Sequence, residues 1–489
     1  MIYKNKIVIS PVKDINLKFD KFFQVFNPLK DENLLSFKDA SVYYNFRVED
    51  GSLKTGYGIK DLTFKDMLDQ DYVLKSGDRV VTEIWTTRWL NNVNTAPADY
   101  IFYMLDDGKI YYTNLEYPEF TFSMTTIFNQ VPEMTKIRQN LLEAFVFTSP
   151  SDNLVLLNQT SETTYSSIPK VFDACYHYNK LFAITAQTRN ALVYSSETEI
   201  TNWTNQNTYR IDFTDDRGRP LKIMSFHDNL YVFREFGITK VSPYSVESDF
   251  SIEHLYQSSS YIYPETITIC GEDVVFLTRD GLYSFNGSKV RRLNYNLIDM
   301  IQNDETSQPC AGAFKGKYFL ACKMSFDNNM VGCEEESYVN NCILIFDFFK
   351  NSIEVVRGVD VKKFSELNSK NFNKLCLIFR GTLSTKIGEL TENGSIFGNQ
   401  YLSCWRSAYC DLNYTEKLKH IKEVKLISNE NSILKIQSDT ETKTYNLTGS
   451  PNIQRLKTDV KGKMFKFIFE SSALQQKISK PEISVTVYQ

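Results

Sequence analysis

Short apolar runs separated by tight polar turns recur along most of this chain. Ile101-Phe102-Tyr103-Met104-Leu105, Asp106-Asp107-Gly108 and Ile110-Tyr111-Tyr112 make one such phrase. Val274 to Leu277, Asp280-Gly281, Leu282 to Phe285 and Asn286-Gly287 make another. Asp-Gly and Asn-Gly tolerate positive φ at both central positions of a two-residue turn, so each phrase predicts an antiparallel hairpin. Variants near Phe145, Leu181, Leu230, Phe319 and Ile378 space the hairpins roughly 35 to 60 residues apart, the period of four-stranded propeller blades. The expectation is an all-β chain with a β-propeller of about six to eight sheets over residues 91–398.

The flanks read differently. Residues 1–90 are rich in charge and poor in hairpin phrases, and are expected to form an N-terminal docking extension. Phe19, Phe22, Phe23 and Phe26 would share one face if that stretch were helical, and a strand or loop packed on the propeller accounts for them equally well. Within the propeller the best helical candidate is short, residues 136–143. From 399 to 489 strict alternation takes over, as in Phe465, Phe467, Phe469 and Ile483, Val485, Val487, which predicts strands with one buried face in a β-sandwich-like module.

Composition narrows the function classes. Aromatic residues make up 14% of the 489, ample for sheet-on-sheet cores. The 55 Lys and Arg nearly balance 59 Asp and Glu, so no basic field exists to neutralise phosphates, and a sequence-reading nucleic-acid binder is not expected. Nine cysteines contain no C-x-x-C pair, and the group Cys310, Cys322, Cys333 and Cys342 reads as buried free thiols in a reducing compartment. The opening hexapeptide lacks the apolar core of a signal peptide, and no run reaches the roughly 18 apolar residues of a membrane span.

Candidate chemistry is sparse. His177, His227, His254 and His420 form no metal-binding spacing, and no nucleophile-elbow, P-loop or dinucleotide motif occurs. Asp215-Asp216 and Glu334-Glu335-Glu336 are weighed as paired carboxylates for glycoside cleavage, but solvated loops are the better reading. Tyr43-Tyr44 and Tyr111-Tyr112 are weighed as carbohydrate platforms against the simpler role of packing on a pleated surface. No catalytic, cofactor-binding or metal-ligating residue is nominated, and no enzymatic turnover or cofactor is expected.

Residues 189–290 carry a more specific string: Ala191 to Ser196, Asn202-Trp203, Asp215 to Gly218, Phe226 to Arg234, Gly237-Ile238 and Val275 to Gly287. This string resembles the propeller core of tail-hub proteins from tailed bacteriophages. Asn45 to Ile59, with its Asp50-Gly51 turn and Gly56 and Gly58 bend, is similar to that family's opening, and the strands after Lys417 resemble its closing module. The resemblance implies a structural virion protein, a tail nozzle or head-to-tail stabilisation ring below the portal that retains packaged DNA. It also implies a homo-oligomeric ring, six-fold by expectation, contacting portal or adaptor proteins and other tail proteins and passing genomic DNA without sequence recognition. Its N-terminal region, with Phe22, Phe23 and Phe26, and its C-terminal sheet would supply the docking surface. Residues 328–341 depart from the pattern as an insertion. The alternatives are a cytosolic propeller scaffold for protein interactions, although the Gly-His to Trp-Asp signature is missing, and a polysaccharide-degrading propeller enzyme.

Overall fold

The computed structural model describes residues 11–18, 22–24 and 40–488, apart from 66–67, 69, 75–78, 140, 160, 197–198, 204–209, 243–249, 295–299, 303, 305, 329, 331–333, 351, 369–371 and 381–386. Six consecutive four-stranded antiparallel sheets span 81–127, 133–165, 171–212, 220–257, 268–294 and 310–357. A seventh takes Val361–Asn368, Asn373–Phe379 and Gly388–Thr391, and its fourth strand, Gly58–Asp61, comes from before the first sheet. All seven hairpin phrases lie inside these sheets.

Each sheet is apolar on both faces and packs on its neighbours, because a small sheet cannot shield either face alone. Trp89 and Phe102 of the first sheet meet Phe145 and Phe147 of the second. Phe319 of the sixth lies against Phe364 of the seventh. Cys376 and Ile378 of the seventh share a core with Ile84, Ile101 and Tyr103 of the first, so the succession returns to its start. The chain is an all-β protein with a seven-sheet β-propeller and a sandwich-like module, and the strands expected as an N-terminal extension fold into these two parts.

The module has two facing sheets. One joins Ala40–Tyr44, Ser403–Ser407, Phe465–Ser471, Ser432–Ser438 and Thr442–Leu447. The other includes Pro11–Lys18, Phe46–Glu49, Ser52–Thr55, Lys419–Ser428, Ser450–Gly462 and Glu482–Tyr488. Alternation places Leu434, Ile436, Phe467 and Phe469 opposite Ile421, Val424 and Val485 in one core, as the period-two pattern predicts. Phe22 and Phe23 are buried there against Trp405, Phe467 and Phe469, in a non-helical stretch, and the Trp405 indole N–H donates to Gln24 O. They hold this chain's own module together and are not a docking surface for other proteins. Phe19 and Phe26 lie outside the described residues.

The same core runs on between the fifth and sixth sheets through Leu277, Tyr318, Leu320 and Val355. Asn45, at φ 58°, turns the chain there. Its N–H donates to Val355 O at 2.8 Å, and its Oδ1 accepts the Arg357 N–H at 2.8 Å, which binds the module to the outer strand of the sixth sheet. Residues 136–143 are not helical. Glu133–Gln139 and Leu142–Thr148 form a hairpin in which Lys136 pairs with Phe145, and Ile137 is the core residue among those described from 136 to 143. Cross-sheet packing overrides a short segment's local preference.

Candidate functional site

The first strands of the propeller sheets carry a repeated irregularity. Between its first and third residues the leading strand of sheets one, three, four and seven shifts register: Val81/Glu83, Val171/Asp173, Pro220/Lys222 and Val361/Lys363. A bulge re-aims the side chains that follow it. In all four strands the third residue is charged.

Neighbouring sheets supply opposite signs. Lys363 Nζ is 3.1 Å from Glu83 Oε1, and the Lys362 ammonium donates to Thr82 O at 2.7 Å, tying sheet seven to sheet one. Asp173 Oδ2 accepts the Ile223 N–H at 2.6 Å beside Lys222, tying sheet three to sheet four. Glu133, Glu265, Asp304 and Arg380 extend the girdle around a cavity of about 640 Å³, walled on one side by Tyr261 and Tyr263. Arg380 bonds Asp360 and Val361 O.

Burial dominates the electrostatics. It lifts the Asp173 carboxyl to about 7, with the charge of Glu133 adding and Lys222 opposing. Burial likewise raises Glu83 against the pull of Lys363. The nearby Cys175 thiol is pushed up to about 12 by burial and by Asp173, and Cys310 is raised further, so neither is poised as a thiolate. The Glu83–Lys363 pair and the bond from the Ile223 N–H to Asp173 lock adjacent sheets.

The sequence-derived carboxylates do not converge. Burial works to raise Asp215, but Arg234 and Arg217 outweigh it and hold the carboxyl at about 2. His254 Nε2 lies 3.3 Å from Asp215 Oδ2, and His254 Nδ1 lies 3.2 Å from Thr239 Oγ1. That order resembles a nucleophile, base and acid, but the Thr239 hydroxyl is sealed inside the sheet at 0% exposure and the acid is claimed by two guanidinium groups. Glu335 is not in a solvated loop. Its Oε1 accepts Arg357 Nε at 2.8 Å and its Oε2 accepts Nη2 at 2.7 Å, both side chains buried, while Glu334 and Glu336 face solvent. Residues 328–341 thus include a clamp over the junction between propeller and module.

Cys310, Cys322 and Cys342 are buried, Cys322 and Cys342 facing across adjacent strands with sulfurs 4.0 Å apart, and Cys333 lies outside the described residues. Tyr43 and Tyr44 are core residues. Among the described residues no helix is long and apolar enough to cross a membrane. The axial girdle had escaped sequence reasoning. Its signal is a charged residue two places after the residue that opens the leading strand of sheets one, three, four and seven.

No family model matches the chain, and no curated protein matches it. Among solved structures it is similar to BBS1N, crystallised in complex with ARL6DN and soaked with mercury, at 8% identity and a TM-score of 0.36, over 64% of this chain and 95% of that one. It is similar to YCF48 from Cyanidioschyzon merolae at 8% identity and a TM-score of 0.34, over 55% and 97%. It is also similar to the extracellular domain of a putative hybrid two-component system from B. thetaiotaomicron at 8% identity and a TM-score of 0.40, over 81% of this chain and 47% of that one. Likenesses this remote carry no information about function.

Proposed function

We propose that the chain is a structural, non-enzymatic protein of a tailed bacteriophage, a tail nozzle or hub ring below the portal that retains packaged DNA. The observation that carries the proposal is how the family-like segments sit in the fold. Ala191 to Tyr194, Phe226 to Arg234 and Val275 to Phe285 fall on hairpins of three successive sheets. Asn45 to Ile59 runs from the sandwich into the seventh propeller sheet, so the opening and closing segments make one body with the propeller.

A single body with a continuous core suits a load-bearing ring subunit. Charged side chains line the cavity beside the leading strands and tie neighbouring sheets together, so in this reading the DNA passage belongs to the opening of a homo-oligomeric ring, six-fold by expectation. Portal or adaptor proteins would adjoin that ring, which would be assembled in the host cytoplasm. Imaging of intact particles with this chain traced in density tests the proposal. Several copies in a ring below the portal are expected. A single copy, a position at a fibre tip, or absence from particles would refute it and favour a cytosolic interaction scaffold.

A further inference from the structure

The outer rim of the first propeller sheet displays aromatic rings. Tyr117, Phe120 and Phe122 are 45%, 57% and 54% exposed, within six residues of chain. Phe122 ends a column of near-parallel rings. Phe102, fully buried, stacks on Tyr112 with centroids 5.1 Å apart at 20°, and Tyr112 stacks on Phe122 at 5.5 Å and 25°. One face of the last ring is therefore fixed by the core, and more than half of its surface remains in water.

The turn that carries the other two rings is rigid. The buried Thr113 hydroxyl donates to Phe120 O at 2.9 Å, Asn114 Oδ1 accepts the Glu116 N–H at 2.9 Å, and the Tyr117 and Phe120 amides donate back along the chain. Rings held this way lose little conformational freedom when something stacks on them.

Three observations select the occupant. Thr121–Ile127 is an edge strand, and edge strands invite strand addition. Here the Thr125 and Thr126 amides already donate to the Glu162 carboxylate of the second sheet, at 2.6 and 2.7 Å, so an incoming strand would find them taken. No Lys or Arg occurs from 111 to 127, while Glu116 and Glu119 flank the rings, so a polyanion such as nucleic acid is repelled. A neutral ligand with flat apolar faces and many hydroxyl donors meets both constraints.

We propose that this rim is a binding platform for a neutral polysaccharide, with Tyr117, Phe120 and Phe122 stacked on the C–H faces of pyranose rings and sugar hydroxyls donating to the exposed carboxylate of Glu116. The site is distinct from the axial girdle, and it does not rest on the role proposed above.

Native affinity electrophoresis of the full chain through gels containing soluble starch, dextran, hydroxyethylcellulose or galactomannan tests it, with heparin as the anionic control. Retardation by at least one neutral polymer and none by heparin is expected. Phe122→Ala and Phe120→Ala should each weaken that retardation about three- to tenfold, the scale of one aromatic stacking contact, while Ile127→Ala on the opposite strand face should not. Both aromatic side chains are more than half exposed, so circular dichroism and the melting midpoint should stay near wild type. No retardation by any neutral polymer, retardation by heparin alone, or retention that survives Phe120→Ala/Phe122→Ala overturns the proposal. Sedimentation showing that the double substitution turns a dimer into a monomer overturns it too, by assigning the rim to a second copy of the chain.

Discussion

Replacing Glu335 by alanine removes one half of the ion pair that ties it to Arg357 at the junction between propeller and module. Arg357 is 1% exposed, so its charge would be left without the carboxylate at 2.7 and 2.8 Å. Removing one partner of a buried pair typically costs 3–5 kcal/mol. Arg357 would keep Asn328 Oδ1 at 2.8 Å and the faces of Phe326 and Tyr44 at 3.9 and 4.8 Å, which brings the expected loss to about 3 kcal/mol. Replacing both partners, Glu335→Leu with Arg357→Met, should recover most of that loss, because the cost lies in the orphaned charge rather than in the missing contact. Urea unfolding followed by tryptophan fluorescence measures this, since Trp405 reports the module and Trp85, Trp89 and Trp203 report the first three propeller sheets. Separate transitions for the module and the propeller in Glu335→Ala, merged again in the double variant, are the expected pattern. A loss below about 1 kcal/mol for Glu335→Ala, or a double variant as weak as the single, would refute the clamp.

Asp173→Asn should raise stability at pH 8 by on the order of 4 kcal/mol and change little near pH 4. Burial lifts the folded carboxyl to about 7 from the 3.8 of an exposed aspartate, so its contribution is complete below the unfolded value and is lost as pH rises through about 7, and melting curves at several pH values would show a flatter profile in the variant. Phe23→Ala should destabilise the module by about 3–5 kcal/mol through the cavity left beside Trp405 and Phe469, measured by denaturant unfolding. Gly58→Ala should cost about 2–4 kcal/mol, because a Cβ there would lie 2.3 Å from Ser395 O; a wild-type melting midpoint would contradict this.

The hairpins around Phe145, Leu230 and Phe276 were legible in the sequence because both faces of their sheets are buried, which leaves continuous apolar runs between turns. The module was legible because its strands bury one face. The turn chemistry was legible only in part. Asp50-Gly51 has positive φ at both residues, but so do Tyr178-Asn179, His227-Asp228 and Lys315-Gly316, which carry little or none of the Asn-Gly or Asp-Gly signal. The destination of Gly58–Asp61 was not legible at all, since its partner strand, Gly388–Thr391, lies more than 300 residues away in sequence. The charged girdle was equally hidden, because a register shift becomes visible only once strands are paired. Glu335 looked like one of three solvated carboxylates, and only its meeting with Arg357 sets it apart.

The borrowed strand of the seventh sheet sets a timetable. On a ribosome, Gly58–Asp61 emerges before any propeller sheet, yet Gly388–Thr391 follows only after the other six have been made, on the order of 15–70 s later at about 5–20 residues per second. The strands that open the sandwich wait longer still, since Pro11–Lys18 pairs with Glu482–Tyr488 at the far end of the chain. The ring therefore forms as an open arc whose last gap is filled by the oldest part of the polypeptide. A chain that stops before Gly388 leaves both the arc and the sandwich with bare strand edges, so a rigid subunit exists only once the strands from Gly388 to Tyr488 have met those made first.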